Sequence, residues 1–239
     1  MTDLPFPPGA LVVSCQARPD NPMHGPDTMA LMARAARAGG AAGIRANGAA
    51  DVAAIHRAVD LPLIGIDKQG DPGGVYITPT VEAAAAVVAA GATLVAIDGT
   101  ARTRPDGRTL ADHIAGIHDR LGVPVMADVD TLAAGEAARR AGADLVASTL
   151  SGYLPGAVAG DGPDVDLVKA LAARLDCPVV AEGRYWTREH VRAALDAGAY
   201  AVVVGTAVTN PAAITRRLAQ ARVSSESVST SARHSELRY

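Results

Sequence analysis

The chain has 239 residues, with 22 Lys plus Arg against 25 Asp plus Glu and 49% hydrophobic residues. A formal charge of −3 provides no basic footprint for nucleic acid and no cationic helix for a membrane surface. Charged, Gly and Pro residues interrupt every apolar run before it reaches the ~20 residues of a membrane-spanning helix. The composition is that of a globular protein with a substantial core, at a length where one large domain is common.

The first ten residues carry an acidic Asp3 and three prolines, without the cationic start and apolar stretch of a secretion signal, and read as an N-terminal lead. Two cysteines, Cys15 and Cys177, lie beside or within predicted strands and are expected as small buried thiols rather than a disulfide. A cytoplasmic location is expected. From residue 11 the chain repeats itself. Gly40-Ala41, Gly91-Ala92, Gly142-Ala143 and Gly198-Ala199 each close an Ala-rich segment and open an apolar one, at spacings of 51, 51 and 56 residues. In a second, interleaved series Pro62, Pro124 and Pro178 precede LIGI, VMAD and VVAE. Proline is tolerated there because a strand's first residue needs no ladder donor.

Together the two series predict strands over 11–16, 42–46, 63–68, 94–98, 125–129, 145–149, 179–183 and 201–205. Most are rich in Val, Ile and Ala without clean alternation, as parallel strands buried on both faces are. Helical spacing fills the intervals at 29–38, 81–90, 132–141 and 191–197, with Thr80, Thr131 and Thr187 as N-caps. Eight β-then-α units in about 210 residues predict a single (β/α)8 TIM barrel over 11–222. An open doubly wound sheet accounts less well for a pair-repeat carried through eight units. The Ser-rich, aperiodic 223–239 is expected to form a disordered tail.

In such a barrel, chemistry sits at the C-terminal ends of the strands. Here those ends are Gln16, Arg45, Lys68, Asp98, Asp128, Thr149, Glu182 and Gly205. Any one of them alone reads best as a strand cap facing water. As a set they are costly after buried apolar runs unless paired or used. Lys68, partly desolvated in the mouth, suits a general base or a Schiff-base amine, or simply a partner for a nearby carboxylate. Glu182 is a strand-end acid followed by Gly183; its bland alternative is a buried ion pair with Arg45 or Lys68. Gly183-Arg184 and Gly205-Thr206 follow strands seven and eight, where barrels commonly hold phosphate on backbone N–H groups. His56, His113, His118 and His190 lie on helices and are expected to face solvent, and His24 to be a loop residue. No HxH, HExxH or clustered Cys/His spacing predicts a metal site. The Arg102-Thr103-Arg104 run reads as a solvated loop, and Trp186 as a packing residue.

The runs Val13-Ser14-Cys15-Gln16, Gly43-Ile44-Arg45-Ala46-Asn47-Gly48 and Val75-Tyr76-Ile77-Thr78-Pro79-Thr80 resemble the N-acetylmannosamine-6-phosphate 2-epimerase family. So do Arg104-Pro105-Asp106-Gly107, Thr149-Leu150-Ser151-Gly152-Tyr153 and Ala181-Glu182-Gly183-Arg184. The likeness runs in order over about residues 11 to 218. It implies a cytoplasmic barrel of sialic acid catabolism, an isomerase with Lys68 and Glu182 as catalytic residues, Glu182 either delivering the second proton or positioning Lys68 and the sugar. It also implies sugar contacts at Gln16, Arg45 and Asp128, and a phosphate site at Gly183, Arg184, Gly205 and Thr206. By the same resemblance, Lys68 removes the C2 proton of the ring-opened sugar to give an enediolate-type intermediate, and no nicotinamide, metal or pyridoxal is called for. The alternatives are a Schiff-base aldolase or lyase using Lys68, or a non-catalytic phospho-sugar binder. Two residues depart from the family pattern: Asp67 beside the lysine, which would raise its pKa if it pointed inward, and Asn210 where an arginine is common. A homodimer burying helices near the C-terminus is expected.

Overall fold

The computed structural model describes residues 4–71, 73–157 and 160–220. The expected tail at 223–239 lies outside them. The strands are β1 (Ala10–Cys15), β2 (Gly43–Asn47), β3 (Leu63–Ile66), β4 (Leu94–Asp98), β5 (Val125–Asp128), β6 (Leu145–Ala147), β7 (Val179–Glu182) and β8 (Ala201–Val204). The helices are α1 (Pro26–Ala38), α2 (Ala49–Ala58), α3 (Val81–Ala89), α4 (Leu110–Leu121), α5 (Leu132–Arg140), α6 (Val165–Arg174), α7 (Arg188–Asp196), α8 (Thr206–Thr209) and α9 (Pro211–Ala219). All neighbouring strands pair in parallel, and β8 pairs with β1 to close the ring. This is the (β/α)8 barrel. No helix among the described residues is long and apolar enough to cross a membrane.

Local chemistry places the helix starts. Thr80, Thr131 and Thr187 accept hydrogen bonds from the N–H groups of Ala83, Ala134 and His190, as expected of N-caps. Thr109 and Asp112 add a reciprocal capping box on α4.

Successive strand residues point to opposite faces, and two buried clusters follow from that. Val13, Ile44, Leu63, Val95, Ala127, Val146, Val179 and Val202 pack outward under the helices. Val12, Ile64, Ile66, Leu94, Ala96, Met126, Leu145, Ala147, Val180, Ala201 and Val203 fill the inside. The N-terminal lead is part of this interior. Phe6 is buried in it, and the Tyr200 hydroxyl donates to the Phe6 carbonyl at 2.8 Å, closing the lower end.

Gly65 sits on the outward side of β3, where α3 and the turn after it lie so close that a Cβ would come 3.0 Å from the Val87 Cβ and 2.6 Å from the Ala92 Cβ. Gly65→Ala is therefore expected to destabilise the fold by about 1–3 kcal/mol through overpacking. Urea unfolding reads this directly; an unmoved midpoint would contradict such close seating of α3.

Several strand ends differ from expectation. β6 stops at Ala147 and β3 at Ile66, so Thr149 and Lys68 lie two residues beyond their ladders, whereas β2 continues to Asn47. Lys68 is held instead by the loop that follows it. An antiparallel bridge pairs it with Ile77, and Gln69 N–H donates to the Tyr76 carbonyl at 2.9 Å.

Candidate active site

Inward parity assembles the site. Residues 64, 66 and 68 share one face of β3 and its extension, as do 94, 96 and 98 on β4, 126 and 128 on β5, and 180 and 182 on β7. Arg45, Lys68, Asp98, Asp128, Thr149, Glu182 and Gly205 all continue the alternation of the inner apolar cluster. Asp67 belongs to the other parity. Its carboxylate turns to Gln69 and accepts from its Nε2 at 2.8 Å. The condition under which Asp67 would raise the Lys68 pKa is thus not met.

The centre of the mouth is one buried cation holding two carboxylates. Arg45 donates from Nη1 and Nη2 to Asp128 at 3.1 and 2.5 Å, and from Nη1 to Glu182 Oε2 at 2.5 Å. Arg45 is 1% exposed, Asp128 0% and Glu182 13%. Thr149 Oγ1 lies 2.7 Å from Asp128 Oδ1 and 3.2 Å from Glu182 Oε2. The Ser148 hydroxyl donates to the Glu182 carbonyl at 3.0 Å and accepts from its N–H at 3.1 Å.

Lys68 stands apart from this cluster. Its Nζ donates to Gln16 Oε1 at 2.8 Å, and Gln16 in turn donates to the Ser14 hydroxyl at 2.8 Å. Asn47 Oδ1 accepts the Lys68 backbone N–H at 2.9 Å, which fixes the start of the side chain. On the β4 side, Asp98 accepts from Thr100 at 2.6 Å and from Arg102 at 2.5 Å, and Arg102 reaches the Gly73 carbonyl at 3.2 Å.

Comparisons with known proteins give the family. The family model of N-acetylmannosamine-6-phosphate epimerase matches residues 29–224. The chain belongs to that epimerase family. A Cutibacterium acnes protein named as an N-acetylmannosamine-6-phosphate 2-epimerase is 50% identical over 87% of this chain and 91% of its own. A Caldanaerobacter subterraneus protein of the same name is 47% identical over 87% and 88%. The solved N-acetylmannosamine-6-phosphate 2-epimerase of Clostridium perfringens superposes with a TM-score of 0.87 at 40% identity, covering 90% of this chain and 94% of that one. A thiamine phosphate pyrophosphorylase from Pyrococcus furiosus, at 19% identity and a TM-score of 0.57, shares the fold alone.

In this epimerase-family barrel the charges set unequal proton affinities. Solvent reaches Lys68 from above, yet desolvation among the strand ends, followed by the positive charge of Arg45, brings its pKa down to about 8. Glu182 moves the other way: burial raises it to about 7, opposed by Arg45 and assisted by Asp128. Arg45 itself is held above its ordinary value. Burial, the largest influence, acts against that, and the charges of Asp128 and Glu182 outweigh it.

Other epimerase-family positions differ from their sequence reading. Arg104 is buried rather than solvated; it donates to the Asp98 carbonyl, and its Nε to His113 Nδ1 at 3.1 Å. His113 is fully buried, not solvent-facing, because it lies on the α4 stripe of Leu110, Ile114 and Ile117. Burial and Arg104 push its pKa down to about 4, so it is neutral. His118 and His190 are half-buried and bonded, to Asp144 Oδ2 at 2.8 Å and from the Trp186 N–H at 3.3 Å, and only His56 of the four is exposed. Cys15 is buried and free, its thiol pushed up to about 12 by burial, while Cys177 is only half-buried. Asn210 caps α9, accepting from Ala213 N–H at 3.1 Å. Arg184 adopts φ 59, donates to the Gly162 and Ser151 carbonyls at 2.7 Å each, and lies over the ring of Tyr153. It thereby ties down the loop after β6. Thr149 enters the sequence reading as one of the strand ends, and Asn47 and Ser148 not as site residues; the signal for Asn47 and Thr149 is their inward parity.

Proposed function

We propose that the protein interconverts N-acetylmannosamine 6-phosphate and N-acetylglucosamine 6-phosphate, with Lys68 and Glu182 exchanging protons on opposite faces of C2. Membership of the epimerase family supports the substrate. The observation that carries the two-face reading is topological: Lys68 follows β3 and Glu182 ends β7, four strands apart in a ring of eight.

A C2–H bond is acidic only α to a carbonyl, so the pyranose first opens to its C1 aldehyde. The neutral Lys68 amine takes the C2 proton, and the electron pair moves onto the carbonyl oxygen as a planar enolate. Protonated Glu182 then gives its proton to the opposite face, which inverts C2 and leaves Lys68 as ammonium and Glu182 as carboxylate. Exchange with solvent resets both. The lowered Lys68 and raised Glu182 pKa values suit these roles, because each group has an accessible form of the needed type near neutrality. Gln16, on the Lys68 Nζ, orients the amine. Arg45 is nearly inaccessible and occupied by carboxylates, so its part is to position Glu182 and set its charge. We assign the phosphate to backbone N–H groups near Gly183 and Gly205-Thr206, just after the adjacent strands β7 and β8. Gly183 at φ 111 allows the turn, and at Gly205 a Cβ would come 3.3 Å from that of Ser14.

Incubation with N-acetylmannosamine 6-phosphate in D2O is expected to yield N-acetylglucosamine 6-phosphate carrying deuterium at C2. Epimer without solvent deuterium, or a borohydride-trapped adduct on Lys68, would overturn the mechanism. Absence of both epimer and exchange would leave a phospho-sugar binder instead.

A further inference from the structure

We propose that Thr149 is a positioning residue for this reaction, its single hydroxyl fastening Oε2 of Glu182 beside Asp128 and leaving Oε1 as the oxygen that exchanges a proton with the sugar. The inference rests on the reading of Glu182 as the second acid–base group and goes beyond it to the choice of oxygen and the tuning of its proton.

Thr149 lies two residues past the end of β6, on the inward parity of Leu145 and Ala147. Its Oγ1 is within hydrogen-bond reach of both carboxylates, at 2.7 Å from Asp128 Oδ1 and 3.2 Å from Glu182 Oε2. Arg45 Nη1 reaches that same Oε2 at 2.5 Å. Oε2 therefore carries both polar contacts made to the carboxylate, and Oε1 carries none among the described residues. Oε2 already receives the Arg45 N–H and shares the single Thr149 O–H with Asp128 Oδ1, so a proton on the carboxyl resides on Oε1. The neighbouring Ser148 grips the Glu182 main chain at both N–H and C=O, so the end of β6 holds this residue at backbone and side chain together.

The other charges around Glu182 are Arg45 from β2, Asp128 from β5 and Lys68 after β3. β8, on its far side, presents only Val203 in register. Against this background the Thr149 hydroxyl favours the ionised carboxylate, and its loss makes the proton harder to remove.

The test compares Thr149→Val, which keeps the branched shape, with Thr149→Ser, which keeps the hydroxyl. Thr149→Val is expected to move the acid limb of the kcat/KM profile up by about half to one pH unit, the equivalent of one net hydrogen bond. It should also lower kcat about 3–10-fold with KM little changed, and Thr149→Ser should restore both. A Thr149→Val profile that overlays the wild type, or equal losses in the two variants, would overturn the proposal. A second readout needs no turnover. The infrared band of the protonated carboxyl that disappears in Glu182→Gln is followed across pH in wild type and Thr149→Val. Persistence of this band to higher pH in the valine variant supports the proposal, and an unmoved titration overturns it. Failure of the wild type to epimerise would strike the parent reading and not this measurement.

Discussion

Lys68→Ala is expected to lower epimerisation and C2 deuterium exchange by about 10²–10⁴-fold, the usual contribution of a positioned acid or base. Substrate binding should change far less, since the amine's work is on the reacting proton. The pH dependence follows from the pair. With Glu182 near 7 and Lys68 near 8, the population holding one proton between them dominates from pH about 7 to about 8. The productive arrangement within it is a neutral amine with a protonated carboxyl. Below about 7 both groups carry protons and no base remains; above about 8 neither does and no acid remains. A narrow bell in kcat/KM peaking between these limits is the expected profile, and its apparent values belong to the pair. A Lys68→Ala enzyme that retains wild-type exchange, or a profile flat from pH 6 to 9, would contradict the assignment.

Arg45→Met is expected to cost about 3–5 kcal/mol of stability near neutral pH, because it leaves two carboxylates facing each other without their cation. For a domain of this size that is a fall in Tm of roughly 6–20 °C. The sign of its pH dependence is set by Glu182. Once protonated it needs no counter-charge, so the deficit shrinks as pH falls below about 7 and grows as it rises. Adding Asp128→Asn and Glu182→Gln to Arg45→Met should recover much of the loss, since breaking one side of a buried ion group costs more than removing the whole group. An unfolding free energy within about half a kcal/mol of wild type would show that Arg45 is no strut.

The sheet's inner face accounts for most of what was legible beforehand. Lys68, Asp128 and Glu182 each end or follow an apolar run, and strand periodicity alone puts them on the face of Ile66, Met126 and Val180. The same rule excludes Asp67, which sits one residue out of phase. His113 was also legible, from the i, i+3, i+4, i+7 spacing of α4, and was misjudged by residue type. Arg104 was not. Its burial depends on a carbonyl of β4 and a ring on α4 that come together only when the barrel closes. Arg184 likewise finds its carbonyl partners, Ser151 and Gly162, 33 and 22 residues away.

The sequence by itself determined the barrel, the end of it that carries chemistry, and the residue types available there. Repeats, periodicity and strand-end polarity are local properties and survive in one dimension. Only the tertiary structure decided the partners. Arg45 joins Asp128 and Glu182 across 83 and 137 residues of chain, and how firmly Glu182 keeps its proton depends on those distances and on burial. Coulomb and desolvation energies are functions of position in space, and ring closure is what gives these side chains their positions.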